Sequence, residues 1–364
     1  MMIPYVEIRD RYTRDTIAIV DPQECWFELS YCDIGQFEIY CVASKETIDA
    51  LKKGRFVTIP NKSYIWVITS VQYDFKADGT RMISAKGYEA KWLLTSRIIM
   101  SNVELYGDIG QTVKWLVDKS MGETANSHRK IENFVVKDVE IEILTELQAT
   151  RENLWDFVSS FLKLNGVGSL IYLRDGGVLS YELFMGWNRT SEVIFSQSMD
   201  NLISSTYQTT NENKKTYCLV VNTFTEQNAK GENVENDYTK EVNTDETANP
   251  IDRAEMTTSP NLSLKYTDES GVEKETTPTT SLFQSWQEQA GLSTLAEHKE
   301  TEEISGEIDM NNSKYEFETD YFIGDRVKVI DEDIDVPFYP IISKVTMKQD
   351  SSGYGLEVSY ETSN

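Results

Sequence analysis

The sequence predicts a mainly β protein with α+β insertions, and three observations lead to this fold class. Short runs of β-branched and aromatic residues recur about every ten residues over 1–97, and similar runs return after 303. Between them, over 98–190, apolar residues change to the spacing of three and four that is typical of helices. Turn sequences such as Asp21-Pro22 and Asp78-Gly79 separate the β runs. Short strands at this spacing favour a sandwich or a barrel.

The first 97 residues form one predicted β module that contains a single short helix. Ser44 can cap this helix, Glu46 lies in its first turn, and Gly54 follows it. The predicted strands cover 5–8, 17–20, 26–31, 37–42, 65–73 and 81–87.

Residues 98–190 form a predicted α+β unit. Apolar residues at helical spacing mark a short helix over 109–117 and a clearer one over 151–164, with Thr150 as its N-cap and Gly166 at its end. The aromatic stripe of the second helix is more typical of a core than of a ligand site. Two strands, 170–174 and 178–184, follow and are joined by a tight Asp-Gly-Gly turn at 175–177.

Residues 226–277 carry a concentrated negative charge. Thirteen acidic and five basic residues give a net charge of −8 over 52 residues, and Tyr238 and Tyr266 are the only aromatic residues. Such a segment supplies little core of its own, which favours a solvated excursion with hairpins; a metal-binding or partner-docking arm is the alternative. A helix over 282–299 follows it. Further strands are predicted at 304–308, 315–318, 326–330, 340–348 and 355–360.

The overall charge excludes several functions. Sixty acidic and 35 basic residues give a net charge of −25, without any basic block, so non-specific binding to nucleic acid or anionic lipid is not expected. No apolar run approaches the roughly 20 residues of a membrane span. The first ten residues lack the pattern of a secretion signal, so we expect a soluble protein made in the cytosol.

The sequence contains no recognisable catalytic or metal motif. The two histidines and the cysteines lack the spacing of a zinc or redox site, and buried thiols on strands are the favoured interpretation. These residues are His128, His298, Cys25, Cys32, Cys41 and Cys218. The acidic run 331–335 resembles the start of a calcium loop, but Val336 and Ile342 occupy the positions where that loop needs Gly and Glu, which favours a surface turn. We therefore expect no enzyme activity, no cofactor and no metal.

Four short stretches resemble the hub proteins at the tip of bacteriophage tails and baseplates, including siphovirus tail-tip hubs and the N-terminal hub part of tail-associated lysins. They are 35–39 with the following helix, 217–221, 250–255 and 320–329, and the last is the most specific, with its Tyr-Phe-Ile-Gly-Asp-Arg-Val run. The residues that carry the resemblance, all in structural roles, are Gly35, Phe37, Arg253, Glu255, Tyr321, Gly324, Asp325 and Val327.

The resemblance implies a phage tail hub-like fold with two β-barrel modules in each chain and a small α+β domain. The first module would be 1–97 and the α+β domain 98–190. The second module would combine 191–224 with 303–364, and 225–302 would be an inserted acidic excursion with its helix. Three chains would then form a ring of six barrels that adapts a hexameric tail tube to a threefold tip and lines the DNA channel.

The partners that the resemblance implies are two further copies of the chain, the distal tail or tail-tube ring, the tape measure protein, and tail-tip or receptor-binding proteins. The protein would be made in the host bacterial cytoplasm and reside in the virion. Three copies carry a net charge of −75, three times −25, which would repel DNA phosphates and let DNA slide. A carbohydrate- or receptor-binding tail protein, which the seven Trp would suit, is the alternative, and a cell-wall hydrolase is a weaker one.

Overall fold

The computed structural model describes residues 3–75, 79–244, 249–308, 313–331 and 336–361, and its largest element is an 11-stranded sheet. The N-terminal region supplies seven strands of this sheet and one short helix. They are β1 (Val6–Arg9), β2 (Thr16–Val20), β3 (Glu24–Ser30), β4 (Gln36–Val42), α1 (Lys45–Ala50), β5 (Phe56–Thr58), β6 (Trp66–Phe75) and β7 (Arg81–Glu89).

The alternation of apolar residues decides which face of these strands is buried. On β3, Phe27 and Leu29 are fully buried, and on the paired strand β4 Ile39 is buried beside them. The predicted helix is confirmed as α1. Ser44 is its N-cap, and its side chain and that of Thr47 hydrogen-bond reciprocally to the backbone in a capping box.

The middle region contains two longer helices among short strands. Its elements are β8 (Val103–Asp108), α2 (Ile109–Met121), β9 (Phe134–Val136), β10 (Leu144–Ala149), α3 (Leu154–Leu164), β11 (Gly168–Arg174) and β12 (Val178–Phe184). Strands β11 and β12 form the predicted hairpin through 175–177. The N-cap prediction for α3 is wrong: Asn153, three residues after Thr150, accepts hydrogen bonds from the backbone N–H groups of Trp155 and Asp156. Its amide oxygen therefore satisfies two of the N–H groups that a helix leaves free in its first turn.

The third region is dominated by a long hairpin with a helix packed against it. Its elements are β13 (Ile194–Ser196), β14 (Leu202–Thr210), β15 (Tyr217–Gln227), β16 (Asn233–Asn243), β17 (Glu255–Thr258), β18 (Lys265–Thr267), β19 (Glu273–Glu275) and α4 (Ser281–Ala296). Helix α4 is anchored on the β15–β16 hairpin by the buried Gln287, whose Nε2 donates to Asn222 Oδ1 at 3.0 Å and to the Tyr238 carbonyl at 2.9 Å. The acidic segment therefore contains regular hairpins, and β18 extends the β10–β8 sheet.

The C-terminal strands complete the large sheet. They are β20 (Thr301–Ile308), β21 (Lys328–Asp331), β22 (Val336–Phe338), β23 (Ile341–Asp350) and β24 (Gly353–Glu361). A strand predicted at 315–318 is wrong, because these residues lead into a turn at 318–320, and only an isolated bridge joins Phe317 to Tyr321. Most of the predicted 331–335 turn lies outside the described residues.

The 11 strands follow the order β14-β20-β24-β23-β3-β4-β7-β6-β5-β1-β2. The N-terminal and C-terminal groups of strands meet where β3 pairs with β23, over 25–30 and 344–349. One hydrophobic core contains buried residues from both groups, including Phe27, Ile39, Val345 and Leu356. The prediction of a mainly β fold with several sheets and few helices is confirmed, whereas the domain boundaries stay a prediction. Strand β15 crosses the predicted boundary at 224/225 and pairs with β16 and β17.

Candidate assembly site

The buried carboxylate of Asp325 organises the most specific of the four stretches. Its side chain is 1% exposed and accepts three hydrogen bonds: from the Trp187 N–H at 2.7 Å, the Phe322 N–H at 3.0 Å and Arg189 Nε at 2.7 Å. Two donors come from the segment after β12 and one from its own turn. A carboxylate with one cation and two backbone donors fixes the positions of all three groups.

The same turn contains the other family-like residues of this stretch. Gly324 has a φ of +90°, a backbone conformation that favours glycine, and a Cβ there would lie 2.4 Å from the ring of Tyr31. Tyr321 and Val327 are fully buried, and the Tyr321 ring meets Phe195 edge to face at 5.4 Å. Burial raises the pKa of the Tyr321 hydroxyl, so it stays protonated.

Tyr31 links three separate parts of the chain. Its ring packs against Gly324 and also against Gly168, where an added Cβ would lie 2.0 Å from the ring. Its hydroxyl has one proton, which it donates to the Gly166 carbonyl at 2.9 Å, and the Phe184 carbonyl lies 3.3 Å from the same oxygen. The N-terminal strands, the α+β region and the Tyr321–Val327 stretch (residues 321–327) therefore meet at this side chain. We call this contact the Tyr31 junction, formed by Tyr31, Gly166, Gly168, Phe184 and Gly324.

A buried ion pair lies on the N-terminal side of this region. Glu89 and Lys91 are 1% and 0% exposed, with 3.5 Å between Oε2 and Nζ. Glu89 Oε2 accepts from the Gly35 N–H at 3.0 Å, and Lys91 Nζ donates to the Ser30 carbonyl at 2.7 Å. Burial raises the pKa of Glu89 to about 6, because desolvation outweighs the attraction of Lys91. These hydrogen bonds fix both ends of the turn between β3 and β4. Tyr31, which belongs to the Tyr31 junction, directly follows Ser30 in this turn.

Gly35 and Phe37 belong to this same turn and the strand after it. A Cβ on Gly35 would lie 2.2 Å from the Glu28 carbonyl oxygen, so the close approach of two backbones requires glycine. Phe37 is 1% exposed and stacks on Phe27 with ring centroids 5.5 Å apart. These two predicted residues therefore have local structural roles.

Arg253 and Glu255 lie apart from the other predicted residues. Glu255 begins β17, in the three-stranded sheet β16-β15-β17, and its carboxylate pairs with the Arg253 guanidinium. That guanidinium lies 3.9 Å from the ring centroid of Tyr217. Six of the eight predicted residues are thus buried, and three of these, Phe37, Tyr321 and Val327, belong to the large hydrophobic core. The side chains of the other two, Arg253 and Glu255, are exposed.

The Asp325 turn presents aromatic residues to solvent. Trp187 is 74% exposed and Phe322 39% exposed, and both donate their backbone N–H to Asp325. The Arg189 guanidinium lies 6.0 Å from the Phe322 ring centroid. Trp and Arg are enriched among the residues that dominate protein–protein binding energies. Their rigid support makes this surface, Trp187, Arg189 and Phe322, a candidate contact site.

The described residues offer little for metal or thiol chemistry. Within these ranges, no group of three or more His, Cys, Asp or Glu is placed to hold a metal ion. All four cysteines are free thiols, and Cys25, Cys41 and Cys218 are buried on strands as predicted. The prediction is wrong for Cys32, which is half-buried in the bend after β3. Burial raises the pKa of Cys25 to about 12 and that of Cys41 to about 11, so both remain thiols at neutral pH. Among the described helices, none has the length and apolar character required to cross a bilayer.

Comparison with known proteins gives the fold a class. The chain shares its fold with the 43 kDa tail protein of prophage MuSo2 from Shewanella oneidensis, at a TM-score of 0.57 and 12% identity over 98% of both chains. It is also similar to a tail protein from Neisseria meningitidis MC58, at 0.54 and 13% over 98% of this chain and 96% of the other. Prophage tail protein gp18 from Listeria monocytogenes EGD-e matches at 0.52 and 12%, over 99% and 94%. The fold is therefore the one found in phage tail proteins.

The family is defined by sequence. The model of the Siphovirus ReqiPepy6 Gp37-like protein family matches residues 5–360, so the chain belongs to this family. No curated protein matches the chain in sequence. The resemblance to siphovirus tail proteins stated from the sequence is confirmed.

Proposed function

We propose that the protein is a structural component of a phage tail and acts as the hub of a tail tip or baseplate. In this role three copies form a ring with pseudo-sixfold symmetry that adapts a hexameric tail tube to a threefold tip and surrounds the DNA channel. The family and the tail-protein fold support the tail assignment. The partners are the tail-tube ring, the tape measure protein and tip or receptor-binding proteins, and the protein resides in the virion.

The pairing of β3 with β23 is the observation that carries the hub proposal. It places two groups of strands, one from 6–89 and one from 202–361, side by side in one sheet with one shared core. A chain that holds two β units in a fixed relation can supply two of six positions in a ring. Three such chains then complete the ring, and closed symmetry of this kind is the rule for soluble oligomers.

The two ends of the large sheet favour contacts between copies. Its terminal strands are β2 and β14, and neither contains a charged residue, although 26% of the chain is charged. Ile17 and Ile19 on β2 are 44% and 65% exposed. Natural proteins protect free strand edges with charges or cover them, so an uncharged apolar edge points to coverage by a neighbour.

The charge of the chain fits a channel that DNA passes through. Three copies carry a formal charge of −75, three times −25. Acidic side chains facing the channel repel phosphate and prevent DNA from adhering to the wall.

The test of the hub proposal is the assembly state of the full chain. We expect a native mass of about 125 kDa, three times 41.7 kDa, and two-dimensional class averages of a threefold ring with a central hole, alone or with the tail-tube protein. A chain that stays monomeric and forms no ring, whether alone or with the tail-tube protein, would refute the proposal.

A matched pair of variants tests the contact at β2. Ile19→Lys places a charge on the sheet edge and should abolish the ring. Ile251→Lys changes an isoleucine that is 87% exposed outside the large sheet and should leave the ring intact. A ring that persists in Ile19→Lys, with circular dichroism unchanged, would exclude β2 from the contact.

A further inference from the structure

Two arginines lie together at the surface of the α+β region without an acidic partner. Arg97 Nη2 donates to the Arg129 carbonyl at 3.3 Å, and Arg129 Nη2 donates to the Ile98 carbonyl at 2.7 Å. Among the described residues, neither guanidinium has a carboxylate within ion-pair distance. The pKa of Arg129 lies below its ordinary value, because the side chain is partly buried and close to the positive charge of Arg97. Two like charges held together in this way attract an anionic group.

Exposed apolar side chains lie beside the two arginines on a fixed segment. Ile98 and Met100 are 55% and 61% exposed, whereas Ile99 between them is 2% exposed and belongs to the core of the α+β region. The Ile99 N–H donates to the Glu152 carbonyl at 2.9 Å, which fixes this segment against the residues before α3. An anionic partner that also carries an apolar side chain would meet a preorganised surface here. We call it the Arg97 surface, formed by Arg97, Ile98, Met100 and Arg129.

The far end of the β15–β16 hairpin has the complementary character. Strand β16 is the outer strand of its three-stranded sheet, and its residues 233–235 and 237 are exposed. Glu235 and Asp237 lie on one face of β16, about 7 Å apart along the strand. Among the described residues, neither carboxylate has an ion-pair partner. Val234 is 39% exposed on the opposite face, and both faces are accessible from the free edge of β16.

We propose that the Arg97 surface of one copy binds the Glu235–Asp237 end of the hairpin in a neighbouring copy. The inference rests on the proposed ring, in which each copy has two neighbours, and it adds a contact to the one at β2. Arginine is suited to this role, because its planar guanidinium binds a carboxylate through two N–H groups. Within one copy, no described ion pair or hydrogen bond joins the two surfaces.

A second copy is the favoured partner because one chain carries both halves of the match. Two guanidinium groups with exposed aliphatic neighbours face a need for two carboxylates, which β16 presents with Asn236 between them. Glu273 and Glu275 on β19 have the same spacing and are exposed, but the positive charge of Lys274 lies between them. The uncompensated pair on β16 is therefore the better counterpart for two positive charges.

The first test reverses the charges and then restores the match in the full chain. Glu235→Arg with Asp237→Arg, and separately Arg97→Glu with Arg129→Glu, should each weaken self-association in sedimentation velocity about tenfold. All four substitutions in one chain should restore it, since the attraction returns with its signs exchanged. Glu273→Arg with Glu275→Arg is the matched control and should leave association unchanged. Unchanged association in the first two variants, or equal weakening by the control, overturns the proposal.

The second test leaves the arginines and carboxylates unchanged and identifies the partner. The photo-crosslinker p-benzoylphenylalanine replaces Met100, and isotopically light and heavy chains are mixed before irradiation. We expect crosslinks between light and heavy chains that map to residues 226–237. The same replacement at Leu144, which is 80% exposed on β10, should give no crosslink to the hairpin. Crosslinks within single chains only, or to other segments only, overturn the proposal.

The two proposals fail in different ways. Class averages that show a ring, without the expected crosslink, refute this contact and leave the hub proposal standing. The expected crosslink in a protein that forms no ring refutes the hub proposal and supports the contact between copies.

Discussion

Asp325→Asn is the substitution that most directly probes the candidate assembly site. The change keeps the size of the side chain but replaces one acceptor oxygen by an amide group that itself donates. Asp325 accepts from Trp187 N–H, Phe322 N–H and Arg189 Nε, so the variant leaves at least one of these donors facing another donor. Hydrogen bonds to a charged group contribute about 1.5–3 kcal/mol each, and breaking a buried pair costs about 3–5 kcal/mol. Arg189 is 23% exposed and can reach water, so we expect a loss of about 3 kcal/mol.

Urea unfolding followed by circular dichroism measures this loss as a change in the free energy of unfolding. Asp175→Asn, in the exposed turn between β11 and β12, is the control and should change the stability by less than about 0.5 kcal/mol. Trp187 provides a local readout, since release of its backbone should alter near-ultraviolet dichroism before global unfolding. A loss below about 1 kcal/mol for Asp325→Asn would show that Asp325 does not organise this turn.

Three further predictions concern the junction, the buried ion pair and the α4 helix. Gly168→Ala pushes a methyl group into the ring of Tyr31 and should lower the free energy of unfolding in urea by about 1–3 kcal/mol. In a Tyr31→Leu background this loss should be smaller. An unchanged loss would show that the strain lies elsewhere. The pKa of Glu89 is raised from 4.5 to about 6, so the folded state binds its proton more tightly than the unfolded state does. The contribution of Glu89 to the free energy of unfolding therefore falls as pH rises from 4 to 7. The unfolding free energy of the unmodified chain minus that of Glu89→Gln should therefore fall by about 2 kcal/mol over this range, and a difference that rises or stays flat contradicts the assignment. Gln287→Ala removes the two hydrogen bonds that join α4 to the β15–β16 hairpin and should increase the backbone hydrogen exchange of the hairpin at least tenfold. Gln284→Ala, on the exposed side of α4, should leave this exchange unchanged. Equal exchange in the two variants would contradict the anchoring role.

The local features of the fold were predictable where the sequence carries a local signal. The N-cap at Ser44 and the Asp-Gly-Gly turn at 175–177 depend on residues a few positions apart, and both are present. The N-cap of α3 was misplaced because Thr150 and Asn153 are both good caps, and tertiary packing selects between them. The strand expected at 315–318 has the right residue types, but Tyr315 and Phe317 fill the core from an irregular segment that precedes the turn at 318–320.

The site residues that the sequence did not reveal act over long sequence separations. Tyr31 donates to Gly166, 135 positions away, and nothing in the neighbourhood of either residue indicates that contact. Glu89 and Lys91 are two positions apart and resemble any charged pair at a strand end; only burial from other segments makes them a core pair. The one available signal was Asp325 within the Tyr-Phe-Ile-Gly-Asp-Arg-Val run, which identified the turn but not its partners, Trp187 and Arg189.

The antiparallel match of β23 with β3 has a consequence for biosynthesis. Ser30 and Lys344 are register partners separated by 314 positions, so at 5–20 residues per second the ribosome needs roughly 15 to 60 s to deliver the second strand after the first. During that interval one side of β3 has no neighbour and is open to pairing with other nascent chains. Contacts this distant along the chain also slow folding. The nascent polypeptide therefore waits longest for the segment that pairs with β3, and we expect mispairing during synthesis to begin at this strand.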